Sequence, residues 1–299
     1  MPIGYSLKPS GLLDRLYRWI SKTSSKYSGG AEQLPPPEAM AGYLKAQRLA
    51  YAAVQHVGKL LRVGMTEQQA TELLETYLRE HGTERYLHRA FAWFGEHSRF
   101  DGYQDYADYH PSSRELRAND VAILDVSPVV DGYIGDVGYA LSLAPNPDLS
   151  RAKDFLLKLR EDIPKLFASA MTAADIWADI DRRIHAAGFD NIHAKYPHCV
   201  LGHRVFRVRP RRGKHLRIGT RSFGWFSLET NLKFLKFGLS AALTPEHIGN
   251  KLGLWAIEPH IGFAGGGCKF EEVLVVESHS CYWLDNEVPH VVEAQEKRA

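Results

Sequence analysis

The sequence predicts an α+β chain built from two similar halves, and three observations predict it. Helical apolar spacing gives way twice to short strand-like runs. Each change follows one local signature: Met65-Thr66-Glu67 opens a helix that stops at Gly82, and Met171-Thr172-Ala173 opens one that stops at Gly188. In both copies the Gly comes seventeen positions after the Met, and the copies lie 106 positions apart. The strands after each copy carry acids at positions that buried strands ordinarily leave apolar. A helix-pair-then-strands unit used twice implies two halves joined into one sheet.

The elements follow in order. Residues 1–37 read as a separate segment, with Leu12, Leu13, Leu16, Trp19 and Ile20 on one helical face. That face suits docking to a membrane surface or a partner, or packing on the chain's own domain. Ser21 to Gly30 and Pro35-Pro36-Pro37 then form a linker, so the main domain is expected over 38–299. Tyr43, Leu44, Ala50, Val54, Val57 and Leu61 keep helical spacing up to Gly64. Thr66 and Gln69 make a capping box for the next helix, which carries Leu73, Leu74, Tyr77 and Leu78. Strand-like runs cover Tyr86 to Phe94, Val121 to Val126 and Tyr133 to Leu143. Helix resumes near Ser150, where Pro164 predicts a break into two pieces. Leu254 to Ile257 and Val273 to Val276 supply the strands of the second half.

Composition narrows the class. The 299 residues include 37 Lys or Arg and 35 Asp or Glu, a formal charge of +2, and 44% are hydrophobic. This balance argues against a nucleic-acid-coating protein, and the apolar fraction against disorder. No apolar run approaches the roughly 18–20 residues that span a bilayer. Met1 to Ser10 lack the pattern of a secretory signal. Cys199, Cys268 and Cys281 form no CxxC pair, as in a reducing compartment. The expected location is cytoplasmic.

Asp120 to Asp136 reads as a β-hairpin turning at Asp131-Gly132. A two-residue loop sets Val130 opposite Tyr133 and Ser127 opposite Asp136. Asp125 and Asp136 are then diagonal neighbours on one face, their Cα atoms roughly 7–8 Å apart. A bulge at Pro128 would shift that register. Acids this close must share a proton, pair with a cation or bind a metal. From the hairpin alone, a structural ion pair and a functional site are equal readings. The second half offers a matching pair: Glu258 ends the run at Ile257, Glu271 opens the one at Val273, and Gly262 to Gly267 lies between. Four carboxylates meeting across a pseudo-twofold need positive charge between them, which two divalent cations supply.

These residues resemble the superfamily of methionine aminopeptidase, aminopeptidase P (Xaa-Pro) and creatinase. Its metal site runs, in order, through an Asp, an Asp eleven residues on, a His after Gly, a Glu before Pro, and a strand Glu. This chain matches with Asp125 in Leu-Asp-Val, Asp136 in Gly-Asp-Val, His203 in Leu-Gly-His-Arg, Glu258 in Ile-Glu-Pro and Glu271 in Lys-Phe-Glu-Glu. The likeness covers roughly residues 40–290. It implies the pita-bread fold, two pseudo-symmetric halves of helices packed on a curved, mostly antiparallel sheet. It also implies that Asp136 and Glu271 bridge two divalent metal ions, that Asp125 chelates one, and that His203 and Glu258 complete the other. Manganese, cobalt, iron and zinc all suit such donors. A hydroxide between the ions would attack a polarised carbonyl, with Glu258 as proton shuttle.

The chain departs from the family pattern at three places. The family's peptidases carry a second His seven residues after the metal His, where this chain has Pro210 followed by Arg211. His260 and His198 are the expected substitutes, the first catalytic and the second substrate-binding. The family also places a substrate-contacting His upstream of the first Asp. His88 and His110 both qualify, and the strand-like surroundings of His88 favour it. Each of these is equally readable as one of the structural histidines in a chain that has fourteen. Finally, eight basic residues run from Arg204 to Arg221 with no acid among them. This stretch is either a solvated face or a seat for an anionic substrate group, beginning with Arg204. Nucleic acid is not an expected partner, because the aromatic interleaving that base stacking uses is missing.

Three functions fit this sequence. The first is a dinuclear metal-dependent aminopeptidase acting on short peptides of the Xaa-Pro or a related class. The second is a non-peptidase enzyme on the same metal scaffold, cleaving another C–N bond. The third is an inactive binding module, which the retention of all five ligand positions disfavours. A homodimer is compatible with each.

Overall fold

Proline and threonine set the start of each helix. In this computed structural model residues 34–83, 85–104, 106–208 and 236–297 are described, with Trp19, Thr23 and Leu232. The rest of the expected N-terminal helix and the basic residues from Arg209 to Arg221 lie outside them. Helix α1 (Pro37–Leu60) begins on the last proline of the triplet, where the missing N–H has no helical partner to lose. Helix α2 (Glu67–Glu80) carries the expected capping box: Gln69 N–H donates to Thr66 Oγ1 at 3.2 Å, and Thr66 N–H to Gln69 Oε1 at 2.9 Å. Helix α4 (Ala173–Ala186) repeats it with Thr172 and Asp175.

Helix α3 (Pro147–Ala168) corrects one expectation, because it runs unbroken through Pro164. Proline deprives the carbonyl four residues back of its helical partner. That carbonyl belongs to Arg160, and the Trp283 indole N–H donates to it at 2.9 Å. A tertiary hydrogen bond thus replaces the lost helical one.

The strands are β1 (Arg85–Tyr86), β2 (Phe91–Phe94), β3 (Val121–Val126), β4 (Pro128–Val130), β5 (Tyr133–Ile134) and β6 (Val137–Ser142) in the first half. The second half has β7 (Asp190–Asn191), β8 (Gly202–Arg204), β9 (Ala242–Leu243), β10 (Gly253–Ile257), β11 (His260–Phe263), β12 (Gly266–Lys269), β13 (Glu272–Val276) and β14 (Cys281–Trp283), followed by helix α5 (Pro289–Glu296). Each half centres on three antiparallel strands, β2-β3-β6 and β8-β10-β13, the second widened by β9 and β14. A bridge from Tyr139 to Phe270 joins the halves, and Glu271 N–H donates to Gly138 O at 3.2 Å. The helices lie against these strands: Val54, Val57, Leu74 and Leu78 on Leu124 and Val126, and Ile176, Ile180 and Ile184 in one cluster with Trp255 and Leu274. Five α-helices and antiparallel strands among the described residues match the expected α+β class.

The hairpin keeps a single register. Val126 pairs with Val137 and Val130 with Tyr133, and Gly135 N–H donates to Pro128 O at 2.9 Å, so no bulge intervenes. Asp131 and Gly132 take φ 53° and 84°, the two positive values that a two-residue hairpin turn of the right twist requires.

Candidate metal centre

Strand alternation brings the acids together. Asp125 lies opposite Gly138 in the β3–β6 pair. The same register sets Ser127 opposite Asp136, so the two carboxylates share a face. Glu258 follows β10 and Glu271 precedes β13, each at the strand end nearest the first half. His203 lies in β8 opposite Ala256. The result is three overlapping donor groups: His88 with Asp125 and Asp136, Asp136 with His203 and Glu271, and Asp125 with Glu258 and Glu271. Within each group the donor atoms lie inside 4.8 Å of one another. All five positions inferred from the family pattern therefore converge, and His88 joins them.

The centre is deep. The Asp136 side chain is fully buried, while those of His203 and Glu258 keep 12% and 11% exposure, which makes theirs the side open to solvent. His203 Nε2 is 3.1 Å from Asp136 Oδ2, and His88 Nε2 is 3.4 Å from Asp136 Oδ1 and 3.5 Å from Asp125 Oδ1. Burial disfavours the Asp136 carboxylate, but His203 and His88 outweigh it and hold its pKa well below the usual range. Glu271 is driven well above that range, first by burial and then by Asp136 beside it. Burial also raises Glu258. Asp125 Oδ1, both Asp136 oxygens and Glu271 Oε2 are buried and faced only by imidazole nitrogens and the Lys269 ammonium among the described residues. Buried carboxylate oxygens clustered with imidazole nitrogens suit a divalent transition metal.

Lys269 is the residue that sequence reasoning missed. Its ammonium is 2.6 Å from Asp125 Oδ2, 2.9 Å from Glu258 Oε2 and 3.1 Å from Glu271 Oε2. Burial opposes its charge, yet the three carboxylates hold its pKa well above the ordinary value. The rings of Trp93 and Tyr196 wall it in, their centroids 5.9 and 5.8 Å from the nitrogen. A signal existed, since Lys269 precedes Glu271 by two residues in an extended run and so shares its face.

Two other expectations resolve differently. Arg204 follows His203 on a strand and therefore faces the other way. Its buried guanidinium donates to the carbonyls of Ser240 at 3.0 Å, Asn250 at 2.6 Å and Leu252, and lies over the Trp255 ring. That anchoring role replaces the expected substrate contact. His260 is fully buried and touches the centre through Tyr196, whose hydroxyl lies 3.0 Å from its Nδ1. Burial and then the Lys269 charge push its pKa well below the ordinary value. His198 takes a left-handed φ of 60° and belongs to none of the donor groups. None of the three cysteines forms a disulfide, and no described helix is long and apolar enough to cross a membrane.

Residues 41–278 match the model of metallopeptidase family M24. Solved structures resemble the chain in fold. The X-Pro aminopeptidase of Thermotoga maritima superposes with a TM-score of 0.63 at 16% identity, covering 91% of this chain and 65% of that one. A dipeptidase from Pyrococcus horikoshii gives 0.61 at 18%, covering 89% and 62%. The prolidase of Pyrococcus furiosus gives 0.58 at 15%, covering 88% and 67%. The chain thus spans somewhat under two thirds of the length of the first two. No curated protein sequence matches it. The two-halved architecture is the pita-bread fold, and with its family match spanning most of its length the chain belongs to metallopeptidase family M24.

Proposed function

We propose that this protein is a metal-dependent hydrolase that releases N-terminal residues from short peptides, with Xaa-Pro bonds the first class to test. One observation carries the proposal: four carboxylates and two imidazoles converge in one buried centre, their donor atoms in three groups each within 4.8 Å. Peptidase names among the solved structures of the same fold support the substrate class. Asp136, His203 and Glu271 would hold one divalent ion, and Asp125 with Asp136 a second. Such ions supply Lewis-acid polarisation of a carbonyl and a water made acidic near neutral pH.

The chain's own residues do the rest. Glu258 stands on the solvent side with a carboxyl whose pKa burial raises, which suits it to carry a proton to a leaving amine. Lys269 fixes that carboxyl at 2.9 Å. Trp93 and Tyr196 exclude water from the Lys269 side. His260 acts as a positioning residue through the Tyr196 hydroxyl.

The test is residue release from peptides with penultimate proline, using manganese-loaded protein beside Asp136→Ala. Metal-dependent release in the parent alone is the expected result. Bound metal without release from any peptide would move the reading to non-peptide chemistry on the same scaffold. A chain that refuses manganese, cobalt, iron and zinc would be a binding module. His260→Ala should keep its metal and lose turnover, and unchanged turnover would remove His260 from the mechanism.

A further inference from the structure

We propose that His88 is itself a metal ligand, the counterpart in the first half of His203 in the second. The inference rests on the metal-dependent reading above and adds a ligand to it.

The sequence repeats around the two histidines: His88-Arg89-Ala90-Phe91 and His203-Arg204-Val205-Phe206. Each tetrapeptide feeds or closes the strand that flanks the central one of its half, β2 beside β3 and β8 beside β10. The rings are held alike. His88 Nδ1 is 2.8 Å from the carbonyl of Arg89, and His203 Nδ1 is 3.3 Å from the carbonyl of Arg204. A carbonyl only accepts, so both Nδ1 atoms carry a hydrogen, which leaves Nε2 as the nitrogen a metal would take. That is the tautomer a metal-binding imidazole needs, fixed by the outer contact that usually accompanies ligation.

The oxygens are arranged to match. His88 Nε2 faces Oδ1 of both Asp125 and Asp136 at 3.5 and 3.4 Å, beyond ordinary hydrogen-bond length, and neither oxygen has a hydrogen-bond partner among the described residues. His203 Nε2 faces the other Asp136 oxygen, Oδ2, at 3.1 Å. Asp136 thus offers one oxygen to each imidazole.

Lys269 orients the acid that His88 faces. It holds Asp125 Oδ2 at 2.6 Å, so Oδ1 is the Asp125 oxygen without a hydrogen bond, and it is the one His88 faces. Its stem is fixed in place: a Cβ on Gly138 would stand 2.4 Å from Lys269 Cε, so this strand position leaves the passage open only as glycine. His88 adds an imidazole nitrogen beside the open oxygens of Asp125 and Asp136.

The experiment uses the full chain loaded with cobalt, reading metal per chain by mass spectrometry and coordinated imidazole N–H protons by paramagnetic NMR. The parent should hold two ions and show two exchangeable, strongly shifted N–H signals. His88→Ala and His88→Gln, checked for folding by circular dichroism, should each lose one signal. They should also bind the second ion weaker by at least about 100-fold, the upper end for an outer-shell change. Two ions at parental affinity in both variants would overturn the assignment and return His88 to substrate contact. A single imidazole signal in the parent would overturn it independently of any variant's stability. A parent that binds no metal would overturn the functional proposal instead.

Discussion

The two halves of this protein share a plan and differ in charge. Each begins with a long helix followed by a 14-residue helix whose Thr cap is reciprocated three residues later. Each then places a histidine near its flanking strand, one acid at or just past the end of its central strand, and another just before the third. Two positions before that second acid the plan breaks. The first half has Ile134, buried in an apolar cluster, and the second has Lys269, equally buried among carboxylates. One half therefore contributes acids without a cation of its own strands, while the other carries its cation with it. The lesson is that a pseudo-symmetric backbone does not impose a symmetric centre, because one side chain redistributes which oxygens remain open to a metal.

The largest break comes from Asp136, the residue both imidazoles face. Asp136→Ala should abolish metal binding and turnover together, exceeding the roughly 10–100-fold effect typical of outer-shell changes. Metal analysis beside a peptide assay checks it, and retention of both ions would show that the centre does not depend on this carboxylate.

The next effect tests the asymmetry itself. Lys269→Met keeps the stem and deletes the charge, leaving Asp125, Glu258 and Glu271 buried without their cation. Breaking a buried ion pair by removing one partner costs about 3–5 kcal/mol. Urea unfolding of metal-free protein should show a loss of that order, partly restored by added divalent metal. A loss of under 1 kcal/mol (an order-of-magnitude boundary for exposed pairs) would mean that the ammonium matters little to the metal-free fold.

Much of this centre was legible because its logic is local. The Asp131-Gly132 turn fixes the hairpin register, and register fixes which face Asp125 and Asp136 share. Alternation likewise separates Glu271 from Glu272. The latter points away, into a bidentate pair with Arg160 at 2.7 Å on both oxygens. What escaped depends on distant chain. Arg204 was attached to a basic run that suggested substrate, whereas its carbonyl partners come from 36 to 48 residues downstream. Tyr196 carries no sequence mark, since only folding sets its ring beside Lys269 and its hydroxyl on His260. Pro164 misled because the Trp283 indole that relieves it lies on another element.

A third prediction concerns a buried histidine found only in the second half. Burial pushes His193 down to about 3. Its unfolded counterpart titrates near 6.5, so below that pH the unfolded chain takes up a proton that the folded chain refuses. Stability is complete above about pH 6.5 and falls as pH drops toward 3, by about 2 kcal/mol at pH 5. His193→Phe should flatten this part of the profile in urea titrations at pH 5 and pH 7. An unchanged slope would place the acid sensitivity elsewhere.

The smallest effect sharpens the likeness of the halves. Thr66→Ala and Thr172→Ala each remove a cap of the same geometry, with Thr Oγ1 accepting at 3.2 and 3.1 Å. Each should cost about 1 kcal/mol near neutral pH, and the two losses should agree. Their reciprocal partners differ, because Gln69 is neutral and Asp175 is ionisable. Hydrogen bonds from Thr172 lower the Asp175 pKa, so the stabilisation from its charge is present above the ordinary Asp range and disappears as pH falls through its folded value. The two substitutions should therefore match at pH 7, while below about pH 4, the ordinary Asp range, Thr172→Ala should cost less than Thr66→Ala. If they stay equal there, the charge on Asp175 adds nothing to the cap, and the first turns of the two helices are equivalent in energy as well as in shape.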